Sequence, residues 1–229
     1  MIFQEIKNKL LKHPAPIDED TEAEQAGKDN SKFRQLPKWL NIIVIFFTCT
    51  MTLFHLYTAV AGVPNWIIHR PTHVMFFMVI GFLTLKWRKK KDNTGALVVD
   101  CILSLVSLLI WIYIELNYER ISTFINYVTP IYTLDKVAII LLILFTLELT
   151  RRNTGLTLVV IAVFFILQTL FAKSFPGFLR GSDMKLSSYL TNMFFTADGF
   201  FGSIISISAS YVFLFIVFGA FLSVTKVGD

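Results

Sequence analysis

Cysteine, histidine and charged side chains are scarce in this sequence of 229 residues, which has two cysteines, four histidines and 16% charged residues. Cys49 and Cys101 lack metal-ligand spacing and form no CxxC pair, so we expect both to be small buried apolar side chains without a disulfide. An HExxH motif and a phosphate-binding loop are also missing from the sequence. We therefore expect neither a metal site nor a bound cofactor.

Serines that could act as a nucleophile are available in the sixth apolar run, at Ser203, Ser206, Ser208 and Ser210. An intramembrane hydrolase also needs a base within reach of its serine. All four histidines lie before residue 74, and none follows Trp87. The sequence therefore predicts that the protein is not an enzyme, and a hydrolase is the least favoured of the functions considered.

Long apolar runs dominate the sequence. Hydrophobic residues make up 55% of the chain and its mean hydropathy is +0.63, which is too apolar for an ordinary soluble domain. A membrane-spanning helix needs about 20 apolar residues. The runs of suitable length are Leu40–Val60, Pro71–Trp87, Gly95–Ile114, Tyr132–Thr150, Gly155–Ala172 and Gly202–Val224. This pattern predicts an all-α polytopic membrane protein with about six transmembrane helices, the second being short, tilted or partly buried by its neighbours.

Lysine and arginine gather in every second connection between these runs. The N-terminal tail, the Lys86–Lys91 connection and the Arg151–Arg152 turn are basic, whereas the first and third connections are poor in basic residues. Basic connections favour the cytoplasmic side of a membrane, which places the N-terminus in the cytoplasm. Because these boundaries account for the net charge of +5, we expect no nucleic-acid partner.

The first 38 residues are predicted to form a cytoplasmic tail, and they lack the apolar segment of a signal peptide. Met1–Lys12 has the pattern of a short basic amphipathic helix on the inner leaflet, or of a frayed terminus. Pro14–Asn30 is polar and acidic and is expected to be disordered. Trp39 follows as an aromatic anchor at the membrane interface.

A shorter helix is predicted between the fifth and sixth runs. Apolar side chains at helical spacing share one face there, namely Leu186, Tyr189, Leu190, Met193 and Phe194. Ser182 and Asp183 are suited to cap its start, and Ala197–Gly199 to end it. Because about 12 residues cannot cross a bilayer, we expect this helix to lie in the outer interface or to pack on the bundle.

Ionisable residues inside the runs are candidates for function, but ion pairing accounts for most of them. Asp100 lies near the cytoplasmic side and is expected to pair with the basic Lys86–Lys91 cluster. Glu148 precedes Arg151 and Arg152 by three and four residues, a spacing that favours a local helical ion pair.

Polar residues at the outer ends are interpreted as structural. His55 is expected to lie near the headgroups at the outer end of the first run. Arg70 and His73 begin the second run and are expected to brace the outer face by pairing with Glu115 or Glu119.

Small residues mark the sixth run. Gly202, Ser206 and Ser210 are four residues apart, a spacing that lets another helix approach closely.

Several phrases, in a fixed order, resemble one protein family. They are Arg70–His73, Glu115–Glu119, Leu147–Gly155, Phe175–Leu179, Thr196–Gly202 and Ser208–Leu222. Together they are similar to the N-terminal part of the fused permease of tripartite ATP-independent periplasmic (TRAP) transporters, in the subtype associated with TAXI-type solute-binding proteins. The resemblance covers roughly Leu40–Asp229.

The resemblance implies a division into a cytoplasmic tail (1–38), a four-helix Q-type membrane domain (39–153) and the first helices of an M-type permease domain (154–229). It implies a prokaryotic inner-membrane importer that receives its substrate, an organic anion, from an extracytoplasmic solute-binding protein and uses a sodium gradient. The positions that match family motifs are expected to be structural: Arg70, His73, Asn117, Tyr118, Glu119, Glu148, Arg151, Gly202, Phe215 and Gly219.

The sequence departs from the family at Lys226–Asp229, where family members continue through most of the M-type domain. The resemblance therefore implies no substrate or sodium ligand in this chain. It leaves open whether the chain is a natural fragment, a split gene product or a remnant. The expected partners include the lipid bilayer and the remainder of the M-type domain. The alternative function is a membrane sensor or assembly module without a transport role.

Overall fold

The computed structural model describes residues 32–87, 94–125, 128–197 and 199–226. The expectations for Met1–Lys12, for Pro14–Asn30 and for most of the Lys86–Lys91 cluster concern residues outside these ranges. Within them, all regular structure is helical, apart from one antiparallel bridge between Phe33 and Leu85. The all-helical class is thereby confirmed.

The helices follow one another as α1 (Lys38–Ala61), α2 (Trp66–Thr84), α3 (Thr94–Leu116), α4 (Tyr118–Ser122), α5 (Thr133–Asn153), α6 (Leu156–Leu170), α7 (Leu186–Phe195) and α8 (Ser203–Thr225). Two 3-10 turns, Ala172–Ser174 and Gly177–Leu179, connect α6 to α7. A π-helical segment, Ser208–Val212, interrupts α8.

Four of these helices, α1, α2, α3 and α8, are long and apolar enough to cross a membrane. They indicate a membrane-embedded protein. Helix α6 has only 15 residues, and α5 carries charged residues in its first and last turns. The count of six spans therefore stays a prediction.

Helix α2 is the central helix of the bundle. Of its 18-residue apolar stretch, 61% is buried, against 28% or less in α1, α3 and α8. It begins at Trp66, so the predicted start at Pro71 is wrong, and it ends at Thr84 instead of Trp87. The side chain of Asn65 accepts a hydrogen bond from the Ile67 N–H and caps the earlier start.

Two groups of apolar side chains hold the bundle together. The larger lies between α2, α3, α5 and α7 and is centred on Phe82, Ile139 and Phe194. The smaller lies between α1 and α2 and includes Met51 and Phe76. Since lipid is as apolar as these side chains, helix association in a membrane depends on close packing and polar contacts more than on apolar burial.

The short helix α7 packs on the bundle, which is one of the two predicted placements. It buries Tyr189, Leu190 and Phe194 against the core, while Leu186 stays exposed. The predicted cap is wrong, because Lys185 precedes the helix and Asp183 instead accepts a hydrogen bond from the Lys173 N–H.

Helices α5 and α6 are antiparallel neighbours, as their short connection predicts. Gly155 has a φ of +96° at this turn, a conformation that favours glycine. Cys49 and Cys101 are both free. Cys49 is exposed, so its predicted burial is wrong; its side of α1 is not covered by α2.

Candidate functional site

Three groups of polar side chains connect the helices. The Asp100 cluster comprises Arg34, Asp100, Glu148, Arg151 and Arg152. The Asp135 cluster comprises Tyr113, Arg120, Tyr132 and Asp135. The histidine cluster comprises His55, His69, His73 and Ser208.

Asp100 lies between two arginines in a site that is closed to solvent. Its side chain has no exposed surface, and its two oxygens accept hydrogen bonds from Arg34 Nη2 and Arg152 Nη2, each at 2.8 Å. Arg152 also donates to the carbonyl of Leu85 and lies over the ring of Phe82. The cluster thus joins the segment before α1 to α2, α3 and α5.

The described partners of Asp100 are Arg34 and Arg152, while most of the Lys86–Lys91 cluster lies outside the described residues, so the expected pairing with that cluster stays a prediction. These arginines are 66 and 52 residues away in the sequence. Helix packing brings them to Asp100, and each presents a planar set of donors that matches a carboxylate.

Glu148 forms the local ion pair that its spacing predicts. It accepts hydrogen bonds from Arg151 Nη2 and from Arg152 Nε, both at 2.7 Å. Arg152 therefore bridges Glu148 and Asp100, while Arg151 also donates to the carbonyl of Trp87. The pair is partly exposed and extends the buried cluster towards the surface.

The Asp135 cluster stabilises the opposite end of the bundle. Asp135 is buried at the start of α5, where its oxygens accept hydrogen bonds from Tyr113 Oη at 2.6 Å and from Arg120 Nη2 at 2.6 Å. It also accepts from the Tyr132 N–H, which completes a capping box. The hydrogen bond to Asp135 raises the pKa of the Arg120 guanidinium, which lies on α4.

The histidine cluster is a buried chain of hydrogen bonds between α1, α2 and α8. His55 Nδ1 lies 2.7 Å from the Met51 carbonyl, and His55 Nε2 lies 2.8 Å from His73 Nδ1. His73 Nε2 then lies 3.1 Å from Ser208 Oγ. The expectation that His55 reaches the headgroups is wrong, because it lies on the face of α1 that packs against α2 and has no exposed surface.

The π-helical segment lets α8 make two contacts with the histidine cluster. Ser208 contacts His73, and Phe213 packs against His55 in a tilted arrangement with ring centroids 4.4 Å apart. Five residues of α-helix would turn these side chains about 140° apart around the axis. A π-helical segment with i→i+5 hydrogen bonds turns less per residue and brings these side chains closer together around the axis, so both face the histidines.

Sequence reasoning missed the pair of His73 and Ser208, which are 135 residues apart. The premise that no histidine lies near the serines is wrong for Ser208, because α2 and α8 pack against each other. The signals available in the sequence were Ser208 in the sixth run and two histidines four residues apart near the start of the second run, His69 and His73. The expectation that the protein is not an enzyme stays a prediction.

Arg70 connects α2 to the turn before α8. Its Nη1 donates to the carbonyl of Phe201 at 2.6 Å and more weakly to that of Ala197 at 3.4 Å. The expected bracing through Glu115 or Glu119 is therefore wrong. Glu115 instead accepts from Thr72, at 3.4 Å.

The other family-motif positions divide into two sets. Asn117 donates to the Tyr113 carbonyl and accepts from Arg120, so it belongs to the end of the bundle held by Asp135. Tyr118 is half-buried beside it, and Glu119 is exposed. These positions adjoin one another, but they do not meet the histidine cluster.

The motif positions on α8 face different surroundings. Gly202 is buried at the start of the helix, whereas Phe215 and Gly219 lie on an open face. The predicted small-residue stripe is confirmed in part: α8 approaches α1 and α2 and Gly202 is buried, but Ser206 and Ser210 are half-buried and Ala209 is buried instead.

A mostly apolar cleft of about 520 Å³ opens between α2, α5, α6 and α8. His73 and Ser208 line one part of it, and Asn153 and Thr154 line another. The cleft therefore reaches the open end of the histidine chain. Across the described residues, no three histidine, cysteine, aspartate or glutamate side chains are grouped so as to hold a metal ion.

Comparison with protein-family models, curated proteins and solved structures finds no match for this chain. Its functional interpretation therefore depends on the sequence phrases and on the geometry of the three clusters.

Proposed function

We propose that the chain is a membrane permease component of a sodium-coupled, binding-protein-dependent TRAP-type secondary importer of organic anions. In this proposal it lies in the inner membrane of a prokaryote with its N-terminus in the cytoplasm and crosses the membrane six times. Its partners are the remainder of an M-type permease domain and an extracytoplasmic solute-binding protein.

The observation that carries the proposal is that three of the sequence segments that resemble the family are in contact in the structure. Arg70, in the first phrase, donates to Phe201 of the phrase Thr196–Gly202. His73, also in the first phrase, contacts Ser208 at the start of the closing stretch. Phrases more than 120 residues apart in the chain thus form one joint between α2 and α8, as a shared structural role requires.

The joint supports a division of labour between two parts of the chain. Helices α1–α5 are held by the Asp100 and Asp135 clusters and form the bracing part. Helix α6 and the Phe213–Thr225 half of α8 bury no side chain. In the proposal these two helices are where the rest of the M-type domain packs.

The transport role is tested in proteoliposomes that contain this chain, a TAXI-type M-domain polypeptide and its solute-binding protein with bound ligand. We expect uptake of that ligand when sodium is higher outside, and a fall to background when this chain is omitted. An Arg70→Ala variant should reduce uptake several-fold because it breaks the α2–α8 joint, whereas Arg180→Ala, at an exposed position outside the family-like segments, serves as its control.

Uptake that is equal with and without this chain would contradict the transport role. Capture of a soluble cytoplasmic protein by the 1–38 tail, combined with no uptake, would support the sensor or assembly alternative.

The orientation is tested by labelling single cysteines with a membrane-impermeant maleimide, in a background with Cys49→Ser and Cys101→Ser. Val63→Cys lies in the exposed connection between α1 and α2, and Thr154→Cys lies in the exposed turn between α5 and α6. We expect labelling of the first in intact spheroplasts and of the second only after permeabilisation. The reverse pattern would show that the N-terminus lies outside.

A further inference from the structure

We propose that the histidine cluster is a proton-binding site, in which His55 and His73 together hold one proton taken up from the cleft through Ser208. Neither the sequence phrases nor the transport proposal assigns a ligand to these residues. The proposal follows from the direction that the hydrogen bonds must take along the chain.

The Met51 carbonyl fixes that direction, because it can only accept. His55 Nδ1 must therefore carry a hydrogen, and in neutral His55 this leaves Nε2 as an acceptor. His73 Nδ1 must then donate to His55 Nε2, which leaves His73 Nε2 as an acceptor. The Ser208 hydroxyl completes the chain by donating to His73 Nε2.

One added proton fits this chain without moving a heavy atom. If it lies on His73, both nitrogens of His73 donate, one to His55 Nε2 and the other to Ser208 Oγ. If it lies on His55, the bond between the histidines reverses, and His73 Nε2 again donates to Ser208 Oγ. In both cases Ser208 changes from donor to acceptor, since a hydroxyl can do either.

A second proton does not fit. With both histidines charged, His55 Nε2 and His73 Nδ1 would be two donors facing each other at 2.8 Å. Two positive charges in rings whose centroids are 5.0 Å apart would also repel each other strongly in a buried site. The pair therefore holds one proton and not two.

The chain of hydrogen bonds from Met51 to Ser208 has one open end. It closes at the Met51 carbonyl, while Ser208 is half-buried and lines the cleft beside His73. A proton thus enters and leaves on the Ser208 side. The arrangement is a binding site and not a conducting path, because the described contacts offer no proton acceptor beyond the Met51 carbonyl.

The titratable and charged neighbours of the histidine pair lie on α2, α3 and α8. On α2, Arg70 is bonded to the Phe201 carbonyl, and His69 lies with its ring 5.8 Å from that of His55. On α3, Glu115 is bonded to Thr72. On α8, the one titratable side chain of Ser203–Thr225 is Tyr211, which is exposed.

His69 adds hydrogen-bonding capacity next to the pair. It is 1% exposed, and its Nε2 has no hydrogen-bond partner among the described residues. Buried polar atoms without partners are rare in proteins and call for a functional or structural explanation. Here the unpartnered nitrogen lies next to the His55–His73 pair, where we expect a proton to bind and dissociate.

Protonation has a structural consequence at the joint between α2 and α8. A hydrogen bond donated by a charged imidazole is roughly twice as strong as one between neutral groups. Proton uptake therefore tightens the contact of His73 with α8, and proton release loosens it. The site belongs to this chain alone, so it can be tested whether or not the chain serves a TRAP importer.

The experiment is nitrogen-15 NMR of the histidine side chains of the full chain in lipid nanodiscs, in a His13→Gln background that leaves three histidines. Imidazole nitrogen shifts distinguish the two neutral tautomers from the charged ring. At high pH we expect hydrogen on Nδ1 of both His55 and His73, which is the less common tautomer in water. On acidification we expect the pair to gain one proton in total.

Matched serine variants complete the test. Ser208→Ala removes the acceptor that stabilises the protonated pair and is expected to move its proton uptake to lower pH by about half a unit. Ser206→Ala, two residues away on the same helix, is expected to leave it unchanged. A neutral His73 with hydrogen on Nε2, uptake of two protons, or equal behaviour of the two serine variants would overturn the proposal.

Discussion

An Asp100→Asn variant is expected to lose about 3–5 kcal/mol of unfolding free energy, the largest loss from any single polar substitution in the bundle. The carboxylate is the shared partner of Arg34 and Arg152, whose side chains are only 2% and 1% exposed. Asparagine has nearly the same shape but no charge. It removes the negative charge that lies between the two buried guanidinium groups, and of its two described ion pairs Arg152 then keeps the one with Glu148.

The measurement is the thermal or denaturant unfolding of the purified protein in detergent, compared with Glu119→Gln. That control removes one acidic charge at an exposed position and should change stability by less than about 0.5 kcal/mol. The double variant Asp100→Asn with Arg34→Met should recover part of the loss, since it also removes one of the two buried positive charges that Asp100 shares. Equal unfolding of Asp100→Asn and Glu119→Gln would show that the arginines are solvated and not buried.

A Gly199→Ala variant is expected to be destabilised by about 3 kcal/mol, at the upper end of the usual cost of overpacking. A Cβ on Gly199 would lie 2.6 Å from the Met193 carbonyl oxygen and closer still to that of Asn192. Both are backbone atoms at the end of α7 and cannot rotate away. The next residue, Phe200, donates its N–H to the Met193 carbonyl at 2.8 Å, so the two segments cannot separate without losing that bond.

Gly219→Ala is the matched control, because a Cβ at Gly219 meets nothing within 4 Å. Alanine also favours a helix over glycine, so this variant should be neutral or slightly stabilised. Thermal unfolding gives the difference in stability, and limited trypsin cleavage at Lys185 reports whether α7 has left the bundle. If the two variants unfold at the same temperature, the close packing of Gly199 on α7 does not exist.

The features that the sequence predicts correctly are local ones. The apolar face of α7 follows from a spacing of three and four residues, and so does the ion pair of Glu148 with Arg151. The same local rules locate the long apolar helices, because about 20 apolar residues are needed to cross a bilayer. The start of α2 was misplaced because the general preference for proline in a first turn was outweighed by a cap at Asn65.

The contacts that determine the candidate sites are not local, and the sequence does not predict them. The partners of Asp100 are more than 50 residues away, and those of Arg70 and His73 on α8 more than 120. Periodicity shows which side of a helix is apolar, but not which helix it will meet. The π-helical segment adds a further difficulty, because it changes the spacing at the point where α8 meets the histidines.

In evolutionary terms, we expect Asp100 and its two arginines to be kept or replaced together. Loss of the acid alone removes the carboxylate that two buried arginines share, and loss of either arginine removes half of the compensation for a buried anion. An apolar replacement requires coordinated changes in three separate parts of the chain, before α1, in α3 and in α5. Single substitutions at these three positions are therefore expected to be selected against, even if an uncharged core would be equally stable.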